Sequence, residues 1–249
     1  MMRIDGPPLD SKAPSGGSEV HAVPSVGAPV RALIFDMDGT MIDSMPWHAR
    51  SWMEFSRRHG IAIDVADLLR RTTGRTGTEC MRELFQRELD EAESLRLVGE
   101  KEAIYRELFT PVFAEVGGFK AFAGRALQRG LKLGVGTAGD RHNIAFAFSH
   151  LQMAPQPQAV VGGDEGLPGK PEPAIFLEAA RRLGAQAGQC IVFEDAPLGI
   201  EAARRAGMRA VAVCTSHSAA ELAGPHVVAQ VRDYHELMNT PFLESLHVA

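Results

Sequence analysis

Cysteine is scarce in this chain: only Cys80, Cys190 and Cys214 occur among 249 residues. They lie far apart, with no C-x-x-C pair and no histidine at ligand spacing, so neither a disulfide framework nor a zinc knuckle is indicated. A reducing, cytoplasmic setting is the expectation. Basic charge is not in excess either; the formal net charge is -5, which leaves no global positive field to attract nucleic acid. No run approaches the roughly 20 uninterrupted apolar residues that span a bilayer, so a membrane protein is excluded from the reading. The opening stretch "MMRIDGPPLDSKAPSGGSEVHAVPSVGA", residues 1–28, lacks the apolar block of a signal peptide and is rich in Gly, Pro and Ser; a disordered leader is expected. There is no internal repeat, and nothing indicates an obligate protein partner. What is present, 45% hydrophobic and 23% charged residues, is an ordinary globular composition that suits one large domain or a domain carrying an insertion.

Short apolar runs occur at "VRALIF" (30–35), "LKLGVG" (131–136), "AVV" (159–161), "CIVF" (190–193) and "AVAVC" (210–214), each reading as a buried strand. Helical patterns alternate with the later ones: "NIAFAFSHLQM", "PAIFLEAARRLGA" and "PLGIEAARRAGM", the last with Gly207 as its stop. Such alternation predicts an α/β fold, a Rossmann-like doubly wound parallel sheet covered on both faces. About ninety residues without a strand signal separate the first two strands, far more than a βα crossover needs. They carry amphipathic patterns, Met81, Leu84, Phe85 and Leu89 on one face and Ile104, Leu108 and Val112 on another, so an α-helical cap is expected over residues 45–117, with the core at 29–44 and 118–249. Linkers near 41–46 and 115–120, with Gly117 and Gly118, would be its hinges.

Ligands of open α/β sheets bind outside the carboxyl ends of the strands. There the first strand runs into "FDMDGT", placing Asp36 and Asp38 two residues apart, on one side if the backbone stays extended. Two such carboxylates repel unless a cation lies between them, and a hard divalent ion, Mg²⁺, resolves the repulsion. A second acidic pair, Glu194 and Asp195, closes the strand in "IVFED" and completes a candidate metal site. Acidic residues also favour helix N-termini for dipole reasons, an account that fits one pair better than two. Lys170, in the Gly/Pro-framed "LPGKPEP", is placed to neutralise a nucleophilic carboxylate and incoming phosphoryl oxygens together. The spacing Gly134, Gly136, Gly139 matches G-x-G-x-x-G, but that fingerprint belongs on the first βα turn, and here the carboxylate strand precedes it.

In order, "FDMDGT", "GVGTAG", "GKPEP" and "VFEDAPLGI" resemble the four motifs of the haloacid dehalogenase-like superfamily of phosphohydrolases, over roughly residues 30–240. The stretch "DGTMIDSMPWHARSW" and the helical insertion resemble the branch that holds β-phosphoglucomutase and many small-molecule phosphatases. The resemblance implies Asp36 as nucleophile forming an aspartyl-phosphate, with Asp38 protonating the leaving oxygen and later activating water. It implies Mg²⁺ held by Asp36, the main-chain carbonyl of Asp38 and Asp195, with Glu194 in or near that shell, and Thr137 with N–H groups around Met37 and Ala138 on the phosphoryl group. The carboxylate at Asp38 disfavours the dehalogenase and phosphonate-cleaving chemistries of the superfamily.

A Mg²⁺-dependent phosphatase acting on a small sugar or polyol phosphate is therefore the leading expectation, with a β-phosphoglucomutase-like mutase as the alternative. Asp140 speaks against the mutase, because a carboxylate facing a second phosphate would repel it. Arg75, between Gly74 and Gly77, belongs to a loop that can fold over the crevice; Lys101 lies on a cap helix, in the site or on a solvated face. His48, near the start of a helix with Ser44 as N-cap and Pro46 in its first turn, either steadies Asp38, touches substrate or packs inertly. More remote are a dinucleotide-dependent oxidoreductase and a non-catalytic binding protein; against the latter stands the intact set Asp36, Asp38, Thr137, Lys170 and Asp195.

Overall fold

The computed structural model describes residues 29–248, so the leader expected at 1–28 lies outside the described residues. Its centre is strand β1 (Ala32–Phe35), flanked by β2 (Lys132–Gly136) and β3 (Ala159–Val161) on one side and by β4 (Cys190–Glu194), β5 (Arg209–Val213) and β6 (Val227–Val231) on the other. All pairings are parallel and the order is β3-β2-β1-β4-β5-β6. β6 was not among the strands expected from sequence. Its residues are mostly half-exposed, because an edge strand lacks the continuous burial that makes a short apolar run stand out.

The alternation of β1 divides its side chains between two cores. Leu33 and Phe35 join Phe119, Phe122, Ala147, Phe193, Tyr234 and Phe242 on one face, whereas Ala32 and Ile34 join Ile175, Phe176, Val192, Ile200 and Ala203 on the other. The first face is covered by α5 (Phe119–Gln128), α6 (Arg141–Leu151), α9 (Tyr234–Met238) and α10 (Phe242–Ser245); the second by α7 (Ala174–Leu183) and α8 (Pro197–Arg205). Phe35 stacks on Phe193 at 4.6 Å and meets Phe119 edge-on at 5.3 Å. Each such buried ring contributes about 2–3 kcal/mol, so this packing fixes β1 and β4 side by side. Gly134 and Gly136 serve packing as well: added Cβ atoms would come within 2.8 Å of Leu183 and 2.9 Å of Phe176.

Between β1 and α5 stand four helices, α1 (Met45–Arg58), α2 (Val65–Thr72), α3 (Gly77–Phe85) and α4 (Glu91–Phe109), around a separate apolar cluster that includes Trp52, Phe55, Leu68, Met81, Leu97 and Ile104. Two details depart from the expected faces. α3 stops at Phe85, where Gln86 turns left-handed (φ 49°), so Leu89 reaches the cluster from the following segment. Val112 lies in a short 3₁₀ turn and is 46% exposed. The cap joins the core through a paired neck in which Ile42 bridges Glu115 antiparallel, Asp43 N–H donates to Ala114 (3.0 Å) and Val116 N–H to Met41 (3.0 Å). Among the described residues no helix is long and apolar enough to cross a membrane.

Candidate active site

Asp36 sits one residue past β1, its N–H bonded to the Phe193 carbonyl at 3.0 Å. Because Phe35 and Phe193 are in register, Asp36 and Glu194 emerge at the same level of the sheet. Lys170, from the loop before α7, enters between them with Nζ 2.5 Å from Asp36 Oδ1 and 2.5 Å from Glu194 Oε1. The other oxygen of Glu194 accepts the Ala196 N–H at 2.8 Å. Gly199 makes room for this carboxylate, since a Cβ there would lie 1.8 Å from Glu194 Oε1. Both oxygens of Glu194 are thus engaged by the protein. Its partners are the lysine and a main-chain N–H.

Asp195 behaves differently. It is 1% exposed, and among the described residues its Oδ1 accepts only a long 3.5 Å bond from Thr40 and its Oδ2 has no hydrogen-bond partner. Gly39 turns with φ +74° against it, and an added Cβ would fall 2.2 Å from Asp195 Oδ2, so glycine is required for both conformation and space. The loop after β5 ties these strand ends together: Thr215 Oγ1 donates to the Gly39 carbonyl at 2.5 Å and His217 Nδ1 lies 2.9 Å from the Asp195 carbonyl.

Burial pushes the Asp36 carboxyl up to about 8; Lys170 pulls it down, while Glu194 and Asp38 add to the rise. Burial also lifts Asp195 well above the carboxylate range, reinforced by Glu194 and Asp36. For Lys170 burial acts to lower the pKa, but the facing Asp36 and Glu194 outweigh it and hold the ammonium charged. One ammonium against three buried carboxylates leaves the cluster short of positive charge. Among the described residues no three His, Cys, Asp or Glu side chains form a ready metal cage. Asp36 and Asp195 are the carboxylates that could hold a cation here, with other oxygens completing its shell as is usual for Mg²⁺.

Asp38 faces the cap. Its Oδ1 accepts the Ser44 hydroxyl at 2.7 Å and the Tyr105 hydroxyl at 3.4 Å, and lies 3.1 Å from His48 Nε2. The His48 ring stacks on Tyr105 (centroids 3.8 Å, 8°) and its Nδ1 lies 2.7 Å from Lys101 Nζ. An ammonium can only donate, so Nδ1 accepts and Nε2 carries the proton given to Asp38. Burial raises the Asp38 carboxyl, but His48, Ser44 and Lys101 outweigh it and hold it below the usual range. Lys101, for which a solvated face was one expectation, is 2% exposed, with Nζ 4.9 Å over Trp52 and 2.9 Å from Glu102. Ser44 occupies the N-cap position of α1 but makes no side-chain cap bond, because its hydroxyl goes to Asp38.

Thr137 is buried, with its N–H on the Val161 carbonyl (3.0 Å) and its Oγ1 accepting the Gly139 N–H (3.0 Å), which leaves the hydroxyl hydrogen to give. The N–H groups of Met37 and Ala138 donate to no acceptor among the described residues. Asp140 does not face the crevice as expected: it caps α6 by accepting the Asn143 N–H at 2.8 Å, and Arg141 pairs outward with Asp164. The electrostatic objection to a second phosphate drawn from Asp140 therefore lapses. Arg75 is exposed on the α2–α3 loop, beside Gly74, whose added Cβ would be 3.5 Å from Lys170. A cavity of about 100 Å³ lies between Asp36, Asp38 and Thr137 of the core and Trp52, Arg75 and Lys101 of the cap. Tyr105, Glu102 and Asn143 also belong to this neighbourhood and were not foreseen; the i+4 spacing of Tyr105 from Lys101 was the available signal.

Residues 30–207 match the sequence family described as haloacid dehalogenase-like hydrolase. The chain belongs to this family. This haloacid dehalogenase-like hydrolase is 37% identical over 186 residues to fructose-1-phosphate phosphatase YqaB of Escherichia coli (strain K12), covering 73% of this chain and 95% of that protein. It is 33% identical over 202 residues to validoxylamine A 7'-phosphate phosphatase of Streptomyces hygroscopicus subsp. limoneus, covering 80% and 92%. Its fold matches a β-phosphoglucomutase of Clostridium difficile with TM-score 0.76 at 24% identity, over 87% of this chain and 97% of that one. An identity that low speaks for the shared fold alone.

Proposed function

We propose that this hydrolase is a phosphatase that cleaves a small sugar or polyol phosphate through an aspartyl-phosphate on Asp36. The observation that carries the proposal is the second carboxylate, Asp38, held by Ser44, Tyr105 and His48 on the wall of the cavity that Asp36 also lines. Alkoxide departure from a phosphomonoester needs a proton and intermediate hydrolysis needs a base, and Asp38 can serve both. The named relatives, phosphatases of phosphorylated sugars or sugar-like compounds, support the substrate class.

Asp36 attacks phosphorus as the bond to the leaving oxygen breaks, and Asp38 supplies that oxygen's proton. Asp38 is charged in the free protein; the arriving phosphate, itself anionic, raises its affinity for a proton, which it takes up from solvent before the transfer and gives to the leaving oxygen. Water then attacks the aspartyl-phosphate, Asp38 takes its proton, and phosphate leaves with Asp36 restored. Lys170 neutralises Asp36 and the phosphoryl oxygens, while Thr137 Oγ1 and the N–H groups of Met37 and Ala138 donate to them. The orphaned Asp195 Oδ2 and the cluster's charge deficit fit Mg²⁺, held by Asp36, Asp195 and the Asp38 carbonyl; when bound it supplies the positive charge that offsets the phosphoryl oxygens. The cap, residues 45–117, acts as a lid on the neck, and Arg75 at its rim and Lys101 and His48 in its depth meet the substrate. Lys101 is already neutralised by Glu102, so the depth of the cavity offers hydroxyl-binding groups rather than a spare cation for a second phosphate, which favours phosphatase over mutase.

The test is a screen of phosphorylated sugars and polyols with Mg²⁺, following phosphate release, with Asp36→Asn as the blank. Release that disappears in the blank supports the proposal. No release from any compound sinks it, and conversion of β-glucose 1-phosphate to glucose 6-phosphate would put the mutase in its place.

A further inference from the structure

Asn143 is in the first turn of α6, directly after the loop that carries Thr137, and is 2% exposed. Asp140 satisfies its main-chain N–H, so its side chain is free to reach the cap. Its Nδ2 donates to Glu102 Oε2 at 2.7 Å and its Oδ1 accepts from Arg106 Nη1 at 2.6 Å. Glu102 and Arg106 are one turn apart on α4, a spacing that puts both on one face. A carboxylate and a guanidinium thus read the two ends of one amide, the short side chain that offers a donor and an acceptor side by side. The other oxygen of Glu102 takes Lys101 Nζ at 2.9 Å, Lys101 reaches His48 Nδ1 at 2.7 Å, and His48 Nε2 lies 3.1 Å from Asp38 Oδ1. The chain of contacts leaves the core at Asn143, runs through α4 and α1, and returns to the core at Asp38.

We infer that Glu102 and Arg106, gripping Asn143, form the latch that holds the cap closed, and that Glu102 is a positioning residue that ties cap docking to the orientation of Lys101 and His48 against Asp38. Alignment of the acid/base group is then complete only when the cap has docked. The latch serves the sugar-phosphatase reading in its kinetic test, but its hydrogen-exchange test stands apart from any substrate.

Asn143→Asp places a carboxylate against Glu102 while keeping the acceptor for Arg106, and Glu102→Gln in the same chain restores a donor opposite it. Loss of a charge-assisted bond is worth about tenfold or more in the closing equilibrium. Asn143→Asp is expected to raise KM about tenfold with a smaller change in kcat, because substrate must drive a closure that is no longer latched. The double variant should recover at least about threefold of that loss, better than the product of the single effects. Without substrate, amide exchange in the first turn of α6 and around residues 98–106 should quicken in Asn143→Asp and slow again in the double variant. Additive losses, a loss confined to kcat, or unchanged exchange would each overturn the inference. Should Asn143→Asp fail to fold, Arg106→Ala takes its place with the same required KM rise and faster exchange. An inactive wild type would count against the phosphatase reading, leaving exchange to decide the latch.

Discussion

Magnesium affinity should depend steeply on pH, because metal and proton compete for the same carboxylates. In the metal-free protein burial pushes Asp36 up to about 8, from an ordinary value of 3.8. A carboxyl raised in the folded state stabilises the fold below its unfolded pKa and loses that contribution as pH rises through the folded pKa. Metal-free protein therefore destabilises between about pH 4 and pH 8, while the fraction of Asp36 ready to bind a cation grows. With a pKa near 8 that fraction is about one in a hundred at pH 6 and about one half at pH 8. The dissociation constant should tighten about fiftyfold across this interval, or about 2.3 kcal/mol, with about one proton released per ion bound at pH 6. Asp195, raised in the same direction, adds to the effect. Isothermal titration calorimetry in two buffers of different ionisation enthalpy measures both quantities, and thermal unfolding should show a larger gain on adding Mg²⁺ at the higher pH. Affinity unchanged between the two pH values, with no buffer-dependent heat, would refute the claim that Asp36 and Asp195 are the ligands.

Lys170→Ala leaves Asp36 and Glu194 buried without their cation, and removal of one partner from such a buried pair costs about 3–5 kcal/mol; urea unfolding should show that loss, and phosphatase turnover should fall by about a thousandfold or more. Ser44→Ala removes the 2.7 Å bond to Asp38, so the alkaline limb of the pH profile of kcat/KM, set by the proton Asp38 must carry in the first step, should move upward, because Asp38 then holds a proton more readily. Arg75→Ala should raise KM for the best substrate by about tenfold with kcat within about twofold, as expected of binding that does not change on the way to the transition state. Gly39→Ala puts a methyl group 2.2 Å from Asp195 Oδ2 at a positive φ, and calorimetry should find Mg²⁺ binding lost or weakened by at least about tenfold.

The core of the site was legible because strand ends are fixed by topology. Once "RALIF" and "CIVF" are read as buried parallel strands, the acidic residues that follow must emerge at the same edge, and register alone then brings Asp36 beside Glu194. The sequence could not say which carboxylate of "ED" takes the lysine. That choice rests on Gly199, which opens space for Glu194 against α8, and on Gly39, which keeps Asp195 toward β1. Both glycines are visible in the sequence, but their meaning depends on distances across the fold. Asp140 misled for a related reason: beside Gly139 it reads as part of a phosphate loop, whereas three residues ahead of Asn143 it is a helix cap, and the cap bond prevails.

The cap was far less legible, and the cause is physical. Amphipathic periodicity assigns a helix's polar face to water, an assumption that holds for a helix lying on a globular surface. α4 breaks it. Its apolar positions Leu97 and Ile104 pack within the cap, and its polar residues Lys101, Glu102 and Arg106 turn toward the cavity and the core. Burial of these charges is tolerated because each meets a partner: Lys101 with Glu102 and His48, Glu102 with Asn143, Arg106 with Asn143. Three of these four contacts are to other elements, so sequence spacing within α4 could not have revealed them. In a helix that closes over a substrate, then, a polar face without hydrophobic neighbours is as good a signature of the site as of the solvent, and the partner supplied by the opposing domain decides between them.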